Sequence, residues 1–346
     1  MEARTSMILI RADGSPKTGS GHIMRCMTIA EQLKSREQLC FVTDSEDSVS
    51  LIESRGFSVE VLKGCYEENR IEEIEELRQL IINKNAKLLL VDSYLVTEEY
   101  FEGLKDIVTL AYLDDMGEKV YPVDIIVKYN VFANESDYLQ KYSTQAAECL
   151  IGPSYIPIRD EFTGEKYEVR QELKDVLILT GGGDYYNLAQ MFMDAFGQRE
   201  ELKKINFHLV CGYYNNQKEI LKKKAERYRN FCLYENVQDI WKLMRKCDCA
   251  VTAGGTTVYE LCAVGVPIIG YAFADNQHPV MDYMNHNRLA VYCGDYREKG
   301  EMLLKELAQT LLDYRGYEFR KGISGSIKNL VDGKGAGRIA DALQTN

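Results

Sequence analysis

The sequence predicts an α/β fold of two doubly wound domains, and three observations predict it. Short apolar runs of strand length alternate with helical patterns along the chain, the order of a parallel sheet covered on both faces. The alternation breaks at Gly152-Pro153-Ser154-Tyr155-Ile156-Pro157, where two prolines and a glycine mark a boundary. The chain has 346 residues, 45% of them hydrophobic, enough for two cores of ordinary size.

In the first domain, placed at 1–155, strands are expected near Met7–Ile10, Leu39–Val42, Ser58–Val61, Leu88–Val91, Val108–Tyr112 and Ile125–Val127. Helices are expected near Ile23–Lys34, Val49–Arg55, Ile71–Asn83 and Glu98–Leu104. The second domain, 156–346, has strands near Val176–Leu179, Phe207–Val210, Phe231–Tyr234, Cys249–Thr252, Ile268–Tyr271 and Ala290–Tyr292, with helices between. Two such domains make a cleft where they meet, and ligands bind beyond the carboxyl ends of the strands.

A net charge of −11 disfavours nucleic acid and anionic membranes as partners. The sequence shows neither an 18-residue apolar run nor a leader pattern, so no stable membrane association is expected. The 10 cysteines are scattered. Cys247-Asp248-Cys249 is too tight for a C-x-x-C motif, and no second Cys or His pair completes a zinc site. They read as reduced thiols of a cytoplasmic protein, with no metal and no cofactor. No interface pattern stands out, so a monomer is expected.

The first strand runs into Arg11-Ala12-Asp13-Gly14-Ser15-Pro16-Lys17-Thr18-Gly19-Ser20-Gly21-His22-Ile23-Met24-Arg25. This glycine-broken loop before a helix carries a histidine where a nucleotide cradle would be inert. A helix N-terminus lowers imidazole pKa, keeping His22 neutral and able to accept a proton. Of the other histidines, His208 reads as structural, His286 as solvated and His278 as a helix cap. Further polar residues end the strands of this domain: Asp92-Ser93-Tyr94, Asp114-Asp115 and Asn130. Each could be an Asx turn or cap, but together at the edge that bears His22 they suit the hydroxyl and amide groups of a sugar.

In the second domain Thr180 leads into Gly181-Gly182-Gly183-Asp184, and Thr252 into Ala253-Gly254-Gly255-Thr256-Thr257-Val258-Tyr259-Glu260-Leu261. Small residues let backbone approach a ligand, and helix N-termini with free N–H groups suit a diphosphate. Glu260 is expected to bind a neutral diol such as a ribose, the bland alternative being a first-turn dipole partner. Neither loop is G-x-x-x-x-G-K-[ST], and Gly19-Ser20-Gly21-His22-Ile23-Met24 lacks the third glycine of a dinucleotide loop. ATP hydrolysis and nicotinamide chemistry are therefore disfavoured.

These blocks together resemble the nucleotide-sugar hydrolases of pseudaminic acid biosynthesis, the related spore-coat polysaccharide proteins and, more distantly, the family 28 glycosyltransferases. The residues that carry the likeness also include Pro157-Ile158-Arg159-Asp160-Glu161-Phe162, Asp275-Asn276-Gln277 and Val331-Asp332-Gly333-Lys334-Gly335-Ala336. The resemblance implies a GT-B fold: two Rossmann-like domains facing a central cleft, UDP held by the second and sugar by the first, with the last helix packing back across. It implies hydrolysis of UDP-2,4-diacetamido-2,4,6-trideoxy-β-L-altropyranose to free sugar and UDP, with His22, Tyr94 and Asn276 catalytic.

By position, Gly181, Gly182, Gly183, Thr256 and Thr257 would cradle the diphosphate, and Glu260 the ribose. Arg11, Asp13, Gly21, Arg25, Asp92, Asp115, Asn130, Arg159, Asp184, Gly255 and Gln277 complete the expected substrate-binding set. Gly254-Gly255 departs from the serines expected in some relatives. Two rival readings are a GT-B glycosyltransferase using a UDP-sugar donor and a catalytically silent nucleotide-sugar-binding protein. The first is disfavoured by the lack of a basic amphipathic helix in the acidic first domain, the second by its full set of strand-end polar residues.

Overall fold

The computed structural model describes residues 7–63, 70–117, 119–235 and 237–345. They form two compact units, Met1–Pro157 with Lys334–Asn346, and Ile158–Gly333.

The first unit is built on seven parallel strands: β1 (Met7–Ala12), β2 (Gln38–Thr43), β3 (Ser58–Val61), β4 (Ala86–Asp92), β5 (Thr109–Leu113), β6 (Ile125–Lys128) and β7 (Glu148–Ile151), in the order β3-β2-β1-β4-β5-β6-β7. The central strands are apolar on both faces because helices cover both. Leu9, Leu89 and Val91 pack in one cluster with Tyr100, Phe101, Leu104 and Tyr112.

The helix Gly21–Leu33 buries Ile23, Cys26, Met27, Ile29, Ala30 and Leu33, a stripe at helical spacing. Against it packs the C-terminal helix Gly335–Thr345, which belongs to this unit although the chain reaches it from the second. Arg36 Nη1 donates to Asp341 at 2.9 Å and Arg338 Nη1 to the Ser154 carbonyl at 2.8 Å. A Cβ on Gly335 would lie 2.2 Å from the Ile156 carbonyl oxygen, so the close approach of this helix requires glycine there.

Two elements of this unit lie outside the sequence reading. The edge strand β7 has only three apolar residues after Glu148, too short a run to stand out beside the Gly152-Pro153 break. The helix Glu135–Lys141 is announced by a cap: Asn134 Oδ1 accepts from Ser136 N at 3.1 Å.

The second unit has six parallel strands: β8 (Asp175–Leu179), β9 (Asn206–Cys211), β10 (Phe231–Glu235), β11 (Cys249–Ala253), β12 (Ile268–Ala272) and β13 (Val291–Asp295), ordered β10-β9-β8-β11-β12-β13. His208 is braced between Asp175 Oδ1 at 2.8 Å and the Tyr234 hydroxyl at 2.9 Å, a structural role as expected.

In each sheet the strand order reverses once, between β1 and β4 in the first unit and between β8 and β11 in the second. At such a switch point the loops leaving the two strands diverge to opposite faces and open a crevice at the carboxyl edge. The loops that leave these strands are Asp13–Ser20 and Ser93–Thr97, and Thr180–Asn187 and Gly254–Thr256. They are the segments singled out from sequence.

Candidate active site

In the first unit, His22 is the second residue of the helix Gly21–Leu33 and is buried. Its Nδ1 is buried with no hydrogen-bond partner among the described residues. Tyr94, in the loop after β4, sets its ring edge against the imidazole, with centroids 4.4 Å apart at 81°. Burial pulls the His22 pKa below the usual imidazole value, and Arg25 adds to this; Asp92, Asp13 and Asp115 pull the other way without prevailing. The ring is therefore neutral at neutral pH, as a general base must be.

Around His22 the carboxylates and cations interlock. Arg25, one helical turn on, donates from Nε to Asp92 Oδ2 at 2.6 Å and from Nη2 to Asp92 Oδ1, a bidentate pair. Its Nη1 reaches Asp115 Oδ2 at 2.9 Å and the Tyr129 hydroxyl. Asp115 also accepts from the Tyr94 hydroxyl at 2.7 Å and from Asn130 Nδ2 at 3.2 Å. Burial alone would raise the Asp115 pKa, but Arg25, with these hydrogen bonds, holds it well below the usual carboxylate range.

Behind this cluster Arg11 donates to Glu73 at 2.8 and 3.0 Å and to Asp13 at 2.9 Å, and Arg70 donates to Asp13 at 2.8 Å. The Tyr100 hydroxyl closes the network on Glu73 at 2.9 Å.

These contacts give several of the residues expected to bind substrate a structural partner. Arg11 is fully buried and spent on Glu73 and Asp13; it is a strut beneath Asp13. Arg25 and Asp92 satisfy each other in the same way. His22, Tyr94, Asp115 and Asn130 are brought together, with Gly21 at the helix start and Asp13 one layer below. Sequence reading missed Tyr129 and Lys128, both at the end of β6. Lys128 Nζ donates to the Asp115 carbonyl at 2.6 Å and fixes the loop that carries that carboxylate. Both lie directly before Asn130, so the strand-end rule that selected Asn130 could have found them.

In the second unit, Gly181 adopts φ 84°, where only glycine is unstrained. The loops after β8 and β9 touch closely: a Cβ on Gly212 would lie 2.3 Å from both the Gly181 and Gly182 carbonyl oxygens. Asp184, expected to bind substrate, has a structural partner. Its carboxylate accepts from the backbone N–H of Leu188 at 2.8 Å and Ala189 at 3.1 Å, so it closes the N-terminus of the helix Leu188–Gly197. Burial nevertheless pushes its pKa up to about 6.

After β11, Gly255 has open space where a Cβ would stand, whereas a Cβ on Gly254 would lie 2.6 Å from the Gln277 carbonyl oxygen. The glycine at 254 is therefore demanded by packing, and a serine there would collide with backbone. Thr256 makes no capping bond to the helix Thr257–Val264, and Glu260 lies in that helix's first turn. Burial raises the Glu260 pKa, and Arg159 Nη2, 3.9 Å away, moderates the shift. Arg159 also lies over the Phe162 ring at 4.8 Å. In the 3-10 turn Asp275–Gln277, the Gln277 side-chain oxygen accepts from the Phe273 N–H at 2.9 Å, tying the turn that carries Asn276. His278, the first residue of the next helix, is held by Asp295 at 2.7 Å and Tyr292 at 2.9 Å.

Among the described residues, no group of three or more His, Cys, Asp or Glu side chains could hold a metal ion, and no helix is long and apolar enough to cross a membrane. Each described cysteine is a free thiol.

No protein-family model matches the chain. Among solved structures, the fold is similar to MurG of Acinetobacter baumannii, with a TM-score of 0.69 at 12% identity over 99% of this chain and 100% of that one. It is also similar to S. aureus MnaA in a co-structure with UDP, at 0.67 and 13% over 98% and 96%. The fold is GT-B.

Among curated proteins, the chain is 25% identical over 342 residues to the spore coat polysaccharide biosynthesis protein SpsG of Bacillus subtilis, covering 97% of each. It is 27% identical over 279 residues to the UDP-2,4-diacetamido-2,4,6-trideoxy-beta-L-altropyranose hydrolase of Campylobacter jejuni, covering 80% of this chain and 95% of that protein. The resemblance read from the sequence is borne out. These relatives carry the two names that the residue blocks suggested, and each is matched over nearly its whole length.

Proposed function

We propose that the protein is a UDP-sugar hydrolase of nonulosonic (pseudaminic) acid biosynthesis, releasing a 2,4-diacetamido-2,4,6-trideoxy hexose from UDP. The observation that carries this reading is the buried, neutral His22 at the switch point of the first sheet, its Nδ1 without a partner. Water attacks the anomeric carbon as the bond to the β-phosphate oxygen breaks. UDP departs with the electron pair, and the imidazole takes the water's proton. Base assistance of this kind supplies about 10²–10⁴-fold.

Tyr94, fixed by Asp115, shapes the sugar side in the first unit, and Asn276, in the second, is assigned a substrate contact. The Gly181–Gly183 loop, Gly255 and the N-terminus of the helix Thr257–Val264 receive the diphosphate, whose growing charge backbone N–H groups and the helix dipole stabilise. Glu260 takes the ribose hydroxyls. The curated relatives' names support the activity and its pathway, and the neighbour with UDP bound supports the nucleotide.

Incubation with UDP-sugars, with and without acceptor alcohols, tests the reading. Free sugar and UDP are expected without acceptor; turnover only on adding acceptor would make the protein a transferase, as the GT-B fold also permits. His22→Ala is expected to abolish UDP release while calorimetric UDP affinity stays within about twofold. Substantial turnover in that variant would remove His22 from the base role.

A further inference from the structure

Asn130 is 4% exposed, and its two amide atoms have unequal fates. Nδ2 donates to Asp115 Oδ1 at 3.2 Å, while Oδ1 is buried with no hydrogen-bond partner among the described residues. The orientation of the amide is dictated by its neighbour. Asp115 bonds Arg25 and is ionised, so it offers only acceptors. The amide nitrogen must face it, and flipping the group would set carbonyl against carboxylate. Asn130 therefore presents a carbonyl oxygen, from the same carboxylate that holds Tyr94 edge-on to His22.

A buried acceptor left unpaired is costly, so this position demands a donor. The cations nearby do not supply it: Arg25 bonds Asp92, Asp115 and Tyr129, Lys128 bonds the Asp115 carbonyl, and neither is a partner of Asn130 Oδ1. We propose that Asn130 is a specificity residue whose Oδ1 accepts the N–H of an acylamino substituent on the bound sugar. A sugar hydroxyl can both donate and accept and is content in many surroundings. An amide N–H only donates, and it is matched by a fixed carbonyl with no competing donor. This rests on the UDP-sugar reading above and adds to it which feature of the sugar the first unit reads.

The test uses three ligands: the UDP-linked diacetamido sugar and its two analogues, in each of which one acetamido N–H is replaced by an ester oxygen. Wild-type protein is expected to favour the amide over one of the esters by about 10- to 100-fold in kcat/KM. In Asn130→Leu that preference is expected to shrink to within about twofold, whatever the variant's overall rate. A loosened Asp115 lowers the rate on all three ligands alike, so the ratio separates recognition from positioning. Wild-type protein indifferent to both esters, or a variant with undiminished preference, would overturn the proposal. If no UDP-sugar is hydrolysed at all, the hydrolase reading fails, but calorimetric affinities for the same ligands still decide the role of Asn130, on the same ratio.

Discussion

Arg25→Met removes the cation at the centre of the first site and nearly preserves its stem volume. What remains is Asp92, with a side chain 1% exposed, and Asp115, at 11%, without the guanidinium that compensates them. Breaking a buried pair by deleting one partner costs about 3–5 kcal/mol, because the other charge stays buried. The loss falls on the first unit, so it should be read locally.

Hydrogen exchange at the amides of β1 and β4 is expected to accelerate about 10²- to 10³-fold at pH 7 if they open with the unit. Trp241, the single tryptophan, lies in the second unit, and its fluorescence should be unchanged. The defect should also shrink in acid. With Arg25 gone, burial raises the Asp115 pKa above its unfolded value near 3.9, so the folded variant binds more protons than the unfolded chain and gains stability as pH falls. In wild-type protein Asp115 is held below that range and its contribution is kept down to pH 4. An exchange rate within threefold of wild type at pH 7, or a gap that does not narrow between pH 7 and 4.5, would refute the assignment of Arg25 as the strut of this site.

Three further outcomes follow from the same geometry. The log of kcat/KM should be flat from pH 7 to 8 and fall only at pH below the usual imidazole value of 6.5, because burial holds the His22 pKa under it; a rising limb centred at 6.5 or above would contradict the buried neutral base. Glu260→Leu should erase a preference of about 10- to 100-fold for UDP over 2′,3′-dideoxy-UDP, measured by calorimetry; an intact preference would place the ribose elsewhere. UDP alone should slow hydrogen exchange in residues 181–187 and 254–260 and leave residues 13–22 at their free rate; protection of the first loop instead would reverse the assignment of the two units.

Much of the fold was legible because parallel strands buried on both faces announce themselves as apolar runs, Leu88–Val91 and Ile268–Tyr271 among them. What escaped was short or polar. Residues 148–151 form an edge strand with one face to build, and Glu135–Lys141 is set by its Asn134 cap and by Tyr138 donating to Asp114 at 2.6 Å, a contact no local pattern reveals. At the site, positions were legible and roles were less so. The carboxyl ends of one sheet's strands pointed to His22 and Tyr94 at the switch point and to Asp115 and Asn130 on the strands beyond it, since topology fixes where such loops lie. Sequence could not say that Arg25, Arg11 and Asp184 turn inward. Arginine and aspartate at strand ends look alike whether they face a ligand or one another, and only the pairing across 67 residues between Arg25 and Asp92 decides it.

That pairing also bears on where a nucleotide's charge can go. In the first unit Arg11, Arg25 and Arg70 are confronted by Asp13, Asp44, Glu73, Asp92 and Asp115. Carboxylates outnumber guanidiniums, and the guanidiniums are already bonded to them. A diphosphate brought there would meet surplus negative charge in a poorly screened interior, where like charges cost most. The same surplus suits the opposite task. It raises the imidazole pKa that burial lowers, so His22 remains basic enough to take a proton from water and not so basic as to hold one at rest. In the second unit, the Gly181–Gly183 loop and the N-terminus of the helix Thr257–Val264 are the segments proposed for the diphosphate. The pairing of the first unit's cations thus supports the proposed division of labour, base and sugar in that unit and leaving group in the other.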